Sequence, residues 1–256
     1  MDTQTLAIAN QKGGVAKTTT VASLGAALAE QGSSVLIVDL DPQACLTFSL
    51  GIDPEDLELS VHHVLTKGVS PAEVVIETED GVDLLPATIE LARAEADLLT
   101  RTGREYVLRA ALEEVEGYDW VLLDCPPSLG VLTVAALTAA DGVLIPLQCE
   151  TLSHRGVGQL LDTVHDVRRF TNRGLAVWGV LPTLYDGRTN HARAVLETIS
   201  ETYDLDVVEP PIPKSIRFAE APAAGRSILA TARRTRGADA YREVAANLTR
   251  IAEAKS

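Results

Sequence analysis

Short apolar runs alternate along the chain with stretches of helical spacing. Leu6-Ala-Ile-Ala-Asn10, Val35-Leu-Ile-Val-Asp39, Val82-Asp-Leu-Leu-Pro86, Trp120-Val-Leu-Leu-Asp124, Gly142-Val-Leu-Ile-Pro146 and Ala176 to Pro182 each predict a strand. Most of these runs are apolar at successive positions, the pattern of strands buried on both faces and therefore of a parallel sheet. Helices are predicted from Thr18 to Gln31, with Val21, Leu24 and Leu28 on one face and Gly32 as the stop. Further helices are predicted near 129–139, 154–169, 190–202 and 237–254, and a long, mostly polar helical stretch over 89–116 breaks near Gly103. Neither an internal repeat nor a low-complexity linker interrupts the alternation. The expectation is an α/β fold over 1–256: a single domain with a mostly parallel, twisted sheet and helices on both faces.

Composition narrows the class. Of 256 residues 46% are hydrophobic and 23% charged, enough to bury a core, and with aromatics at 4% that core must be built from Ala, Val, Leu and Ile. The sequence lacks an 18-residue apolar run, so no transmembrane helix is expected. Met1-Asp2-Thr3-Gln4 does not open a secretory signal peptide. Cys45, Cys125 and Cys149 are odd in number and far apart, which indicates neither a disulfide framework nor a zinc site. These features together predict a soluble, cytoplasmic protein with no membrane partner. The net charge of −14 is uneven: residues 1–150 carry −17 and residues 151–256 carry +3. A local basic face in the second part therefore remains open despite the overall acidity.

The strongest chemical signal is Asn10-Gln11-Lys12-Gly13-Gly14-Val15-Ala16-Lys17-Thr18-Thr19-Thr20, between the first strand and the first helix. Gly13 and Gly14 let backbone N–H groups turn inward around phosphate oxygens, with Val15, Ala16, Lys17, Thr18 and Thr19 completing the cradle at a helix N-terminus. Lys17 can reach the terminal phosphates of a nucleotide, and the Thr18 hydroxyl can ligate Mg²⁺. A Gly-rich turn with two solvated lysines is the bland alternative. Strand, two lysines, paired threonines and helix in one register argue against it. The strict GxxxxGK[ST] pattern is not met, since Gln11 and Ala16 stand at its two glycines, but the extra Lys12 gives KGGxxKT. This resembles the deviant Walker A motif of the MinD/ParA class of ATPases.

Two further strands end in acids. In Asp39-Leu40-Asp41-Pro42-Gln43 the two carboxylates lie two residues apart, on one side of extended chain. Asp124 closes an apolar strand before Cys125-Pro126-Pro127-Ser128. Both segments, like the Gly-rich loop, fall at carboxyl ends of strands, where ligands bind in open α/β sheets. Cys125 reads as a small packing residue, and the pair His62-His63 as helix surface rather than a metal site.

From residue 1 to about 240 the sequence resembles ParA/Soj-type partitioning ATPases. The segments that carry the likeness are NQKGGVAKTTT, VLIVDLDPQ, LLDCPPSLG, PTLYDGRTNHARAV and PPIPKSIRFAEAPAAGRSI. The resemblance implies a P-loop NTPase domain that binds ATP with Mg²⁺ and hydrolyses it slowly, stimulated by a ParB-like activator protein. It implies that Lys12 crosses to the nucleotide of a second subunit in an ATP-state homodimer, that Asp41 positions the attacking water, and that Asp39 and Asp124 support Mg²⁺. Backbone around Pro213 would pack on the adenine. Arg188 and Arg217 match positions that contact DNA without sequence preference, and Arg193 and Lys214 would extend that patch. The expected role is chromosome or plasmid partitioning on the nucleoid, by the short type that lacks an N-terminal helix-turn-helix domain. The resemblance leaves open a related ATPase that positions another cargo, a MinD-like protein, and a metabolic P-loop enzyme. Val244, Leu248 and Ile251 read as a stripe packed on the protein body rather than as a membrane anchor. The cluster Arg233, Arg234 and Arg236 is read evenly between DNA contact and solvated surface.

Overall fold

The computed structural model describes residues 3–150 and 153–255. Seven strands form one sheet: β1 (Gln4–Ile8), β2 (Val35–Asp39), β3 (Ile76–Glu77), β4 (Asp83–Leu85), β5 (Trp120–Asp124), β6 (Gly142–Gln148) and β7 (Ala176–Thr183). Their order is β3-β4-β2-β5-β1-β6-β7, every neighbouring pair being parallel except β3 with β4.

Strand alternation sorts the apolar side chains into two layers. Leu6, Ile8, Ile37 and Leu122 face α1 (Lys17–Glu30), α10 (Ile228–Thr231) and α11 (Arg236–Lys255). Ala7, Val38, Val121 and Leu123 face the opposite layer, built around α3 (Val61–Lys67), α4 (Leu91–Leu99), α5 (Val107–Leu112), α6 (Val131–Ala139), α7 (Ser153–Phe170) and α8 (Asn190–Tyr203). Val244 and Leu248 of α11 are fully buried in the first layer, so the terminal stripe is core. No helix among the described residues is long and apolar enough to cross a membrane.

The stretch 89–116 breaks at Gly103 as expected: α4 and α5 are separated there by a turn whose φ of 70° only glycine adopts easily, and by a 3₁₀ turn at Arg104–Tyr106. The structure departs from the sequence reading elsewhere. The short α2 (Cys45–Ser49), α9 (Arg217–Glu220) and α10, together with the two-residue β3, were not anticipated because they are too brief to show a period. His62 lies on the buried side of α3 and not on its surface.

Candidate functional site

Register places the chemistry. Ile8, Asp124 and Asp39 are partners across β1, β5 and β2, so three strand ends stand in one row at the carboxyl edge of the sheet. The loop 9–16 rises from β1 beside this row and turns into α1. Gly14 (φ 74°) and Ala16 (φ 64°) both adopt left-handed backbone, which explains why a glycine is the usual residue at the Ala16 position of such loops. The loop is pinned to β6 and to β7 and braced within itself. Asn10 donates its side-chain amide to the Pro146 carbonyl (2.8 Å) and accepts from the Lys12 N–H (3.0 Å). Thr183, at the end of β7, donates its hydroxyl to the Val15 carbonyl (2.9 Å). A Cβ added at Gly13 or Gly14 would meet nothing within 4 Å, so the loop backbone is open to approach there.

Lys17 is buried at the start of α1, with Nζ 3.4 Å from the Lys12 carbonyl. Burial pushes its pKa down, opposed chiefly by the nearby carboxylates of Asp124 and Asp41. Asp124 is buried, and neither carboxylate oxygen has a hydrogen-bond partner of ordinary geometry. Burial and the neighbouring Asp39 push its pKa well up, beyond what the nearby Thr18 hydroxyl and Lys17 ammonium offset. Held in its ionised form, a carboxylate buried this way needs a cation beside it. The donor set of Asp124, the Thr18 hydroxyl and phosphate oxygens fits Mg²⁺, which commonly takes one or two protein carboxylates and keeps several waters. The open loop with its inward lysine fits the phosphates.

Asp39 is differently engaged. Its Oδ2 accepts from the Thr47 N–H (2.9 Å) and hydroxyl (2.8 Å), and its Oδ1 accepts from the Asp41 N–H (3.1 Å). Burial pushes it up to about 6 even so. With its oxygens so occupied, it braces the Asp41 turn and loads the Asp124 region with charge. Asp41 is half-buried, and its Oδ1 accepts from the Gln43 N–H (2.9 Å), which aims the carboxylate across the same edge. Cys125 is fully buried with its thiol pKa pushed up, a packing group.

Lys12 points away from its own loop. Its ammonium pairs with Glu150 Oε2 at 2.5 Å, beyond the end of β6. Gly156 of α7 packs against this corner, where a Cβ would lie 3.2 Å from Asn10 Oδ1.

Pro213 is brought to the end of β7, where Tyr185 and Pro213 form a parallel bridge and the Tyr185 N–H donates to the Ile212 carbonyl at 2.9 Å. Lys214 follows, its N–H 3.4 Å from the Tyr185 carbonyl. Arg188, Arg193, Lys214 and Arg217 are all exposed. Arg188 makes a bidentate pair with Asp186, both bonds 2.8 Å, and these hold the Asp186 pKa down to about 2. Arg193 donates to Asn190 (2.7 Å), and Arg217 to Glu220 (2.8 Å). Of the other basic cluster, Arg233 is turned to the Leu229 carbonyl (3.3 Å). Sequence reasoning missed Asn10, Thr47, Glu150 and Thr183, all of which act through the fold; only Asn10, within the motif itself, carried a local signal.

The family described as AAA domain matches residues 3–177. The chain is 45% identical over 248 residues to the sporulation initiation inhibitor protein Soj of Bacillus subtilis, covering 94% of this chain and 98% of that one. It is 41% identical over 244 residues to the chromosome partitioning protein ParA of Caulobacter vibrioides, covering 94% and 91%. Among solved structures, cobyrinic acid a,c-diamide synthase from Mycobacterium smegmatis with bound ADP and magnesium is 55% identical, with a TM-score of 0.89 over 99% of this chain and 97% of that one.

Proposed function

The chain belongs to the ParA/Soj family of P-loop ATPases, which work with ATP and Mg²⁺, and from that premise we propose that ATP joins two copies into a homodimer that holds DNA without regard to sequence. The observation that carries the proposal is Lys12, whose ammonium stands outside the loop that Lys17 fills and pairs with the exposed Glu150. A second lysine that serves its own phosphates would turn inward. This one is free to exchange its carboxylate for the phosphates of a facing subunit.

In this reading Lys17 and the N–H groups of residues 13–19 bind and orient the phosphates. Thr18 and Asp124 hold Mg²⁺, which neutralises charge developing on the transferred phosphoryl group. Asp41 orients the attacking water and takes up its proton, while Asp39 holds the Asp41 turn in place. Pro213 backs the base. Arg188, Arg193, Lys214 and Arg217 of both subunits form the DNA surface, so closure doubles the cations presented. Hydrolysis opens the dimer, a ParB-like activator accelerates it, and the cycle moves a chromosome or plasmid on the nucleoid in the cytoplasm.

The identity to cobyrinic acid a,c-diamide synthase favours a second reading, an amide-forming enzyme that consumes ATP. Gel shifts on unrelated duplexes, with ATP and with ADP across a salt series, separate the two. Binding that needs ATP, falls with salt and is lost in Lys17→Ala supports the partitioning role. Absence of binding, with ATP turnover dependent on an added carboxylate and amine donor, supports the second.

A further inference from the structure

Tyr241 of α11 is fully buried, and its hydroxyl lies 3.0 Å from the Thr20 hydroxyl of α1. Thr20 is also fully buried, and its N–H closes the first turn of α1 onto the Ala16 carbonyl at 2.9 Å. The bond therefore reaches the turn that carries Lys17, Thr18 and Thr19. On its other side the Tyr241 ring meets Phe218 edge-on, the centroids 5.9 Å apart. Phe218 directly follows Arg217. Gly237 makes the room, since a Cβ there would stand 2.7 Å from Phe218 Cζ. The two regions meet a second time across a narrow cleft lined by Thr18, Thr19, Phe218, Pro222 and Ser227.

The segment 215–226 has other holds at its two ends and at Gly225, whose backbone packs so closely on Gly51 that a Cβ there would lie 2.7 Å from the Gly51 Cα. At one end Lys214 pairs with the β7 extension; at the other Arg226 pairs with Glu79 and Asp80, and the Ser227 N–H donates to Asp80 at 2.6 Å. From 216 to 224 only Phe218 and Ala221 are buried. Between these holds, the placing of residues 216–220 depends on how Phe218 seats against Tyr241. Apolar contacts slide, whereas a buried hydroxyl pair fixes distance and direction.

We propose that Tyr241 is a positioning residue that couples the nucleotide state of the phosphate loop to segment 215–226 and so to Arg217. Its consequence for DNA rests on the reading above. Nucleotide stiffens the first turn of α1. Thr20 then holds Tyr241, Tyr241 holds Phe218, and Arg217 is presented in one orientation.

The test compares Tyr241→Phe, Thr20→Val and the double variant with the unaltered protein. Hydrogen exchange over 215–226 is measured with and without ATP and Mg²⁺, beside ATP affinity and duplex-DNA affinity. ATP should protect 215–226 in the unaltered protein, and each single variant should lose most of that protection while ATP affinity stays within about threefold. The double variant should be no worse than either single one, because both remove the same bond. DNA affinity with ATP should fall about 5- to 20-fold, within the range of ordinary coupling between sites. Wild-type ATP-dependent protection in Tyr241→Phe would overturn the proposal, even with a lowered Tm, as that outcome means a packing role alone. So would the absence of any ATP-dependent protection in the unaltered protein. If that protein fails to bind DNA, the DNA reading fails while the exchange arm still judges the coupling.

Discussion

Glu150→Gln should tighten the ATP dimer. The Lys12–Glu150 pair is short, 2.5 Å, but its side chains are 28% and 53% exposed, so it ranks with surface pairs. Such pairs contribute about 0.2–1 kcal/mol. If Lys12 must leave Glu150 to reach the partner's phosphates, a symmetric dimer breaks two pairs on forming. Removing the carboxylate charge from both subunits then relieves about 0.4–2 kcal/mol, which is about a 2- to 30-fold lower dimer Kd. The glutamine keeps size and hydrogen-bonding capacity, so folding should be unaffected. The assay is sedimentation equilibrium with ATP and Mg²⁺ on an Asp41→Ala background, which is expected to block hydrolysis. Lys12→Ala with and without Glu150→Gln completes the cycle; the glutamine should have no effect once Lys12 is gone. An unchanged or weaker dimer in Glu150→Gln would show that the carboxylate does not compete for Lys12.

Gly13 has open space on its Cβ side and no left-handed backbone, so Gly13→Val should fold with its Tm within about 2 °C of the parent yet lose ATP binding by titration calorimetry; retained affinity would place the phosphates elsewhere. Asp124→Asn removes one of two adjacent buried carboxylates, and in EDTA it should raise Tm by roughly 2–8 °C while abolishing Mg²⁺-dependent nucleotide binding. Asp39, raised to about 6 from an ordinary 3.8, binds protons more tightly folded than unfolded. The stability this group gives the metal-free protein should therefore be full below about pH 4 and be lost as pH rises through about 6, by about 3 kcal/mol; thermal melts in EDTA of the parent and Asp39→Asn between pH 4.5 and 7.5 would expose a missing or opposite difference.

The parts of the site that the sequence announces are those whose chemistry is local. Asp39 and Asp124 end continuous apolar runs, and parallel strands of that kind have their carboxyl ends on one edge, so two acids and the Gly-rich loop had to meet. The braces are illegible for the opposite reason. Thr47 is an ordinary residue of a five-residue helix until Asp39 is seen to take both its donors. Glu150 is one acid among many until the end of β6 is placed beside a lysine 138 positions earlier. Gly142 reads as a strand start; its reason is the Trp178 ring, which would stand 2.1 Å from a Cβ there.

Charge arithmetic is a blunt guide to the proposed DNA face for the same reason. Residues 151–256 carry a net +3, but summation along the chain cannot say which cations are already engaged. Arg188 is held by Asp186 and Arg217 by Glu220, whereas Arg193 and Lys214 form no ion pair among the described residues. Phosphate must therefore displace a carboxylate at two positions and meets an unpaired cation at two. A displaced carboxylate stays beside the DNA and opposes the gain, so each of those exchanges adds less than an unpaired cation does. With all four cations available, a dimer would approach a log–log salt slope of about −7; with only the unpaired ones, about −4. Asp186→Asn should move the slope toward the steeper limit by up to about two units and tighten binding to every duplex alike, measured by gel shift with ATP across a salt series. The same change should leave ATP affinity untouched, because Asp186 lies outside the phosphate loop. A slope already near −7 in the unaltered protein, or one unmoved by Asp186→Asn, would show that these acids do not restrain the surface.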